Sequence, residues 1–162
     1  RNRHIAIKLP NGDVLVAGGL IPDPAATEVS TATAEVYSVA NGVWAATGAM
    51  SYPRAWAAAA SLANGDILIA GGFDQTLNNG QAYQDSAEIY SVATGTWSKT
   101  TGSLTTPRGG HTAVQLGDGT ILVAAGFDNV AHQGAEGLVG IRRIANGNLQ
   151  QGAGFGVERG FP

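Results

Sequence analysis

Short apolar runs recur along the chain, each fed by a tight turn and stopped by small residues. Val14-Leu15-Val16-Ala17 follows Asn11-Gly12-Asp13, and Ile67-Leu68-Ile69-Ala70 follows Asn64-Gly65-Asp66. Ile121-Leu122-Val123-Ala124 follows Asp118-Gly119-Thr120. Gly18-Gly19, Gly71-Gly72 and Ala125-Gly126 end the three runs. Asn-Gly and Asp-Gly supply the positive φ that a two-residue hairpin loop needs. Continuous apolar runs this short, bounded by turns, predict strands buried on both faces. The glycine pairs predict a sharp exit from the sheet, or a close backbone approach that a Cβ would block.

A more mixed segment precedes each turn: residues 1–9, 54–62 and 108–116. Alanine dominates the middle copy and favours helix by propensity. Its alignment with two strand-like copies predicts a strand there as well. Long, dissimilar loops follow the glycines, over residues 20–33, 73–86 and 127–138. A third strand is then predicted at Ala34-Glu35-Val36-Tyr37-Ser38-Val39 and Ala87-Glu88-Ile89-Tyr90-Ser91-Val92. Turns at Asn41-Gly42 and Thr94-Gly95 lead to a fourth strand carrying Trp44 or Trp97. The whole pattern repeats, with Arg1, Arg54 and Arg108 at equivalent places. Four strands per unit of about fifty residues is the pattern of a propeller blade. The expected fold is all-β, with four-stranded antiparallel blades at 1–53, 54–107 and 108–162, the third degenerate after 127.

A double glycine, then Glu-x-Tyr, then Gly-x-Trp, at this period, resembles the kelch repeat. The bacterial form is closest, with Pro-Arg-x-x-His-x-Ala opening a unit. The third repeat departs from it: Arg142 stands for the Tyr and Leu149 for the Trp, so that blade is expected to lack the usual aromatic packing. The resemblance implies a structural core of Gly18, Gly19, Gly71, Gly72, Gly126, Glu35, Glu88, Tyr37, Tyr90, Trp44, Trp97, His4 and His111.

Three blades leave two apolar sheet faces uncovered, which marks an interface or an aggregation hazard. Propellers close with roughly four to eight blades, so the expected object has six. Joining Pro162 to the Arg1 of a second copy would recreate the junctions Pro53-Arg54 and Pro107-Arg108. Head-to-tail closure of two copies is therefore expected, with the remainder of a longer propeller chain as the alternative.

Composition narrows the function classes. Gly makes up 24 of 162 residues and charged residues only 13%, which suits short strands and tight turns. A net charge of −3 gives no reason to expect nucleic acid or an anionic membrane. No apolar run is long enough to insert in a bilayer as a helix. The absence of Cys excludes thiolate metal sites, and also the chemistry of galactose-oxidase-like copper enzymes, kelch proteins that depend on a Cys-linked Tyr. No cofactor is expected. Few Lys beside abundant Ala, Gly and Thr resembles secreted or surface bacterial repeat proteins.

Arg1, Arg54 and Arg108 open each inner strand. In the kelch adaptor proteins, basic residues near this position grip acidic peptides, and a guanidinium fork suits a carboxylate. The favoured reading for a residue repeated in every blade is architectural. His4 and His111 could line a channel, but bonding a carbonyl between blades is favoured. Function tends to sit on what does not repeat. Arg3, Trp56 and Gly110 share one register position, and an exposed Trp56 would be a stacking platform. Tyr83 and Asn79 in the second long loop, and Asp128 and His132 in the third, complete the candidate ligand-binding residues. The expected function is a non-enzymatic module binding protein, peptide or glycan. A sugar mutarotase, with an Arg for the substrate carboxylate and a His or loop carboxylate as acid or base, and a structural surface protein are the alternatives.

Overall fold

The structure, a computed structural model, describes residues 1–25, 28–76 and 82–128, together with the backbone of 143–145 and 148–150. All regular elements among the described residues are strands. The first unit holds β1 (Ile5–Lys8), β2 (Val14–Ala17), β3 (Leu20–Pro22), β4 (Glu28–Ser30), β5 (Ala34–Ser38) and β6 (Val43–Ala46). The second holds β7 (Ala58–Ser61), β8 (Ile67–Ala70), β9 (Phe73–Asp74), β10 (Ala82–Tyr83), β11 (Ala87–Ser91) and β12 (Thr96–Lys99). Each forms one antiparallel four-stranded sheet, ordered β1-β2-β5-β6 and β7-β8-β11-β12. The long loops are not structureless: β3 pairs β4 and β9 pairs β10 as small hairpins above each sheet.

The third unit gives β13 (Thr112–Gln115) paired with β14 (Ile121–Ala124), and β15 (Arg143–Ala145) paired with β16 (Asn148–Gln150). Among the described residues these are two hairpins, β13-β14 and β15-β16. The turn of this repeat also differs. Asp13 Oδ1 accepts from Val39 N at 2.9 Å, and Asp66 Oδ1 accepts from Val92 N at 3.0 Å. Each aspartate thereby ties the inner hairpin to the end of the third strand. Thr120 occupies that position in the third repeat and turns its hydroxyl back to Asp118.

The turns themselves differ from the two-residue loops expected. Leu9 N donates to Asp13 O, and Gly12 N donates to Leu9 O, so three residues form the loop. Only the glycine has positive φ, +94° at Gly12, +88° at Gly65 and +81° at Gly119. A type I turn closed by one left-handed glycine needs nothing special of Asn11 or Asn64; their side chains instead accept from the backbone of Asp13 and Asp66, both at 3.1 Å.

β8 shows why its apolar run is continuous. Ile67, Leu68, Ile69 and Ala70 are all fully buried. Ile67 and Ile69 pack with Leu9, Leu15, Ala17, Met50 and Tyr90. Leu68 and Ala70 pack with Ala60, Leu104, Ile121 and Val123. With a side-chain period of two, one strand therefore serves two inter-blade cores. The alanines of β7 belong to the same geometry. β7 lies beside both β1 and β13, and small side chains let the inner strands converge.

Candidate ligand-binding site

Two of the three repeat arginines, Arg54 and Arg108, lie behind the surface, and Arg1 is exposed. Arg54 is 1% exposed. Its Nη1 donates to Gly71 O at 2.7 Å and Ser86 O at 3.1 Å, and its Nη2 to Ser86 Oγ at 3.2 Å and Glu88 Oε1 at 2.9 Å. Glu88 Oε2 accepts from Ser51 N of the preceding blade at 2.7 Å. Burial lowers the Arg54 pKa and the Glu88 charge opposes the fall. Arg1 repeats the pattern on Gly18 O, Thr33 and Glu35, more openly, because no described blade precedes it. Arg108 Nη1 donates to Ala125 O at 2.8 Å. Burial lowers its pKa too, opposed by Asp128. Arg54 and Arg108 are thus withdrawn from any ligand at the surface; Glu88 is the partner of Arg54, and Glu35 that of Arg1.

His4 is exposed and His111 is buried. Neither ring nitrogen of His111 makes a hydrogen bond of ordinary geometry among the described residues. The ring fills space instead, beneath Gly71 of blade two. Burial, then the Arg108 charge, pulls its pKa from 6.5 to about 4, against a weak Ala70 backbone contact. A base with a depressed folded-state pKa stabilises the fold fully above the unfolded value, and that stability is lost as pH falls towards about 4. Acidification between pH 6.5 and 4 should therefore cost on the order of 2–3 kcal/mol through this residue. His111→Gln should flatten that part of a urea-denaturation pH profile. An unchanged slope would remove His111 as its source.

Trp97 carries the expected wedge, its Nε1 donating to Gly48 O of blade one at 2.7 Å. Trp44 does not. It packs on Tyr37 at 5.2 Å but stands 56% exposed, on the face where a preceding blade would lie. Tyr90 packs on Trp97 at 5.0 Å and its hydroxyl meets Thr47 Oγ1 at 2.8 Å.

What faces outward is the register of Arg3, Trp56 and Gly110, where each chain enters its inner strand. All three have left-handed φ, +51°, +51° and +65°. For Arg and Trp this is a strained conformation, held only where surroundings over-determine it. The restraint is a backbone relay between blades: Trp56 N donates to Arg3 O at 3.1 Å, and Gly110 N to Trp56 O at 2.8 Å. The neighbouring position pairs with the residue just past the glycines, as in Ala55 with Phe73 and Gly109 with Phe127. The relay thus sets one side chain per blade beside its neighbour.

The arrangement that results is aromatic and cationic. The Arg3 guanidinium lies 4.3 Å from the Trp56 ring centroid. Trp56 meets Phe73 edge-on at 5.4 Å, and Phe73 meets Tyr83 edge-on at 5.5 Å. Tyr83 presses on Gly109, where an added Cβ would fall 2.7 Å from its ring. Arg3, Trp56, Tyr83, Gly109, Gly110 and Phe127 enclose an open cavity of about 350 Å³, to which all three repeats contribute. Sequence reasoning named Arg3, Trp56 and Tyr83 but missed Phe73 and Phe127, whose place after the glycine pair was the available signal. Asp128 is half-buried beside Arg108. Asn79 and His132 lie outside the described residues.

Asp74 belongs to the scaffold. It is 1% exposed, accepts from Thr76 N at 2.9 Å as an Asx turn, and accepts from Ser30 Oγ of blade one at 3.0 Å. With the Gln75 side chain on Glu28 O, it clamps the two upper hairpins together.

Residues 57–102 match the family model described as the Kelch motif. The chain carries a kelch repeat. That segment is blade two from Ala57 to the residues after β12, and blade one has the same strand order. No curated protein matches the chain.

Proposed function

We propose that this kelch-repeat chain is a non-enzymatic interaction module that grips a protein or peptide ligand at the rim built from Arg3, Trp56, Tyr83 and Phe127. The observation that carries the reading is Trp56: a half-buried indole, kept in a strained backbone conformation, lining a cavity to which all three repeats contribute. Kelch repeats generally mediate protein contacts, and a rigid aromatic anchor in a pocket is what binding hot spots use. Peptides selected from a random display library against the whole protein should bind about tenfold or more weakly to the Trp56→Ala variant. Unchanged affinity would move the ligand surface elsewhere.

A glycan ligand would call for many convergent hydrogen-bonding groups, and the cavity lining offers mainly rings. The mutarotase alternative would need an acid or base at the rim. His111 is buried below it, which leaves that alternative with the exposed His4 or a loop carboxylate.

The same reading includes a ring of six blades completed by a second copy. Its support is the uncovered face of blade one, where Val43 and Trp44 are more than half exposed, and where blade two shows what a following blade contributes. Scattering should give a mass near twice the 16.4 kDa of the chain. A well-folded monomer would end this part of the proposal. Ala125 sets a condition on it. Gly18 and Gly71, its equivalents, touch the next blade's Arg carbonyl so closely that a Cβ would collide. The junction after blade three must therefore stand several tenths of an ångström wider than the other two.

A further inference from the structure

The rim cavity is a vacant copy of a place that repeat two fills from within. In repeat two the pair Trp56 and Phe73 brings an indole against a phenyl ring, centroids 5.4 Å apart. The equivalent pair in repeat three is Gly110 and Phe127. The phenyl ring is retained and the indole is missing. Phe127 is left 71% exposed, and the cavity lies at this point. The backbone has not changed to suit the smaller residue: φ is +51° at Trp56 and +65° at Gly110. The missing side chain therefore leaves open space beside Phe127 on an otherwise repeated frame.

Charge supplies the second feature. Arg3 lies over the Trp56 ring, its guanidinium carbon 4.3 Å from the centroid, and it lines the same cavity; neither ion pair found among the described residues includes it. A guanidinium held on an aromatic ring still carries five N–H donors in a fork that suits a carboxylate.

Resting on the function proposed above, we infer that the cavity receives an aromatic side chain of a peptide ligand, seated on Phe127 where repeat two has its own indole, with an adjacent carboxylate on Arg3. The carboxylate has two sources of identical chemistry, an Asp or Glu neighbour or the free C-terminus of the peptide.

Selection of random linear peptides on the whole protein tests this, followed by titration of acetyl-Phe-Asp-amide, acetyl-Phe-Asn-amide and acetyl-Phe with a free carboxylate. Selected peptides should pair an aromatic residue with an acid. The Asn probe should bind about tenfold more weakly than the Asp probe, the worth of one charge-assisted contact. Arg3→Met, which retains the stacking stem, should abolish that difference. Of the two carboxylate sources, the tighter binder identifies the one used. Gly110→Trp should plug the cavity from within and remove binding, since Trp56 already occupies the same frame. Phe127→Ala, an exposed position, should also weaken binding and covers the case in which the first variant misfolds. Selected peptides without an aromatic–acid pair that still depend on Trp56 would overturn this inference and leave the proposed function standing. Peptides indifferent to Trp56, Gly110 and Phe127 would overturn both, as would glucuronate binding at the cavity with no peptide bound.

Discussion

Glu88→Ala should destabilise the protein by about 3–5 kcal/mol, read as a shift of the urea midpoint at constant slope. The reason is the state in which it leaves Arg54. Both side chains are sealed, at 1% and 0% exposure, and joined at 2.9 Å. Removing the carboxylate strands a guanidinium in a medium that solvates charge poorly, and it also frees the Ser51 N–H of the preceding blade. Two losses thus fall on the junction between blades one and two. The Arg1–Glu35 pair is an internal control with the same chemistry and nearly the same length, 3.0 Å, but with side chains 15% and 42% exposed. Glu35→Ala should cost about 1 kcal/mol or less, since water can replace what is lost. Equal costs for the two variants would show that burial between blades does not set the strength of these pairs.

The comparison between those pairs also shows what a sequence can and cannot disclose. Arg1 and Arg54 are indistinguishable as letters in a repeat, and both open an inner strand. Only the presence of a preceding blade separates a half-exposed pair from a sealed one, and that is a fact of packing. Period and chemistry of the strands were legible because β8 must be apolar at every position when both faces are covered, and the three hairpin turns place glycine at their positive-φ position. The upper hairpins β3–β4 and β9–β10 were not legible. They are two or three residues per strand and are held by side-chain bonds from another blade, such as Ser30 to Asp74. Trp56 was recognisable as an outlier in its register. Phe127 was not, because its exposure depends on a side chain that Gly110 lacks. An absence on the segment paired with it leaves no mark on the sequence around Phe127 itself.

Gly71→Ala is the second large effect, expected at about 3 kcal/mol. Gly71 has φ +63°, and a Cβ there would fall 2.6 Å from both Arg108 O and His111 Cε1. Neither neighbour is free to give way. Arg108 O accepts from Gly72 N at 2.8 Å, and the His111 ring is enclosed. Blade three must move off blade two, loosening the core of Leu68, Ile121 and Val123, at the 1–3 kcal/mol typical of overpacking, in addition to about 1 kcal/mol for a left-handed alanine. Repeat three separates these contributions. Ala125 sits at the same place with φ +63° and is exposed, so the conformation alone is tolerated by an alanine. Ala125→Gly should accordingly change stability by no more than about 1 kcal/mol. Thermal or urea unfolding of both variants checks the pair. A Gly71→Ala cost as small as that of Ala125→Gly would mean that the blades are not held at this distance, and with it would go the close inter-blade contact on which the rim, its relay and its cavity all depend.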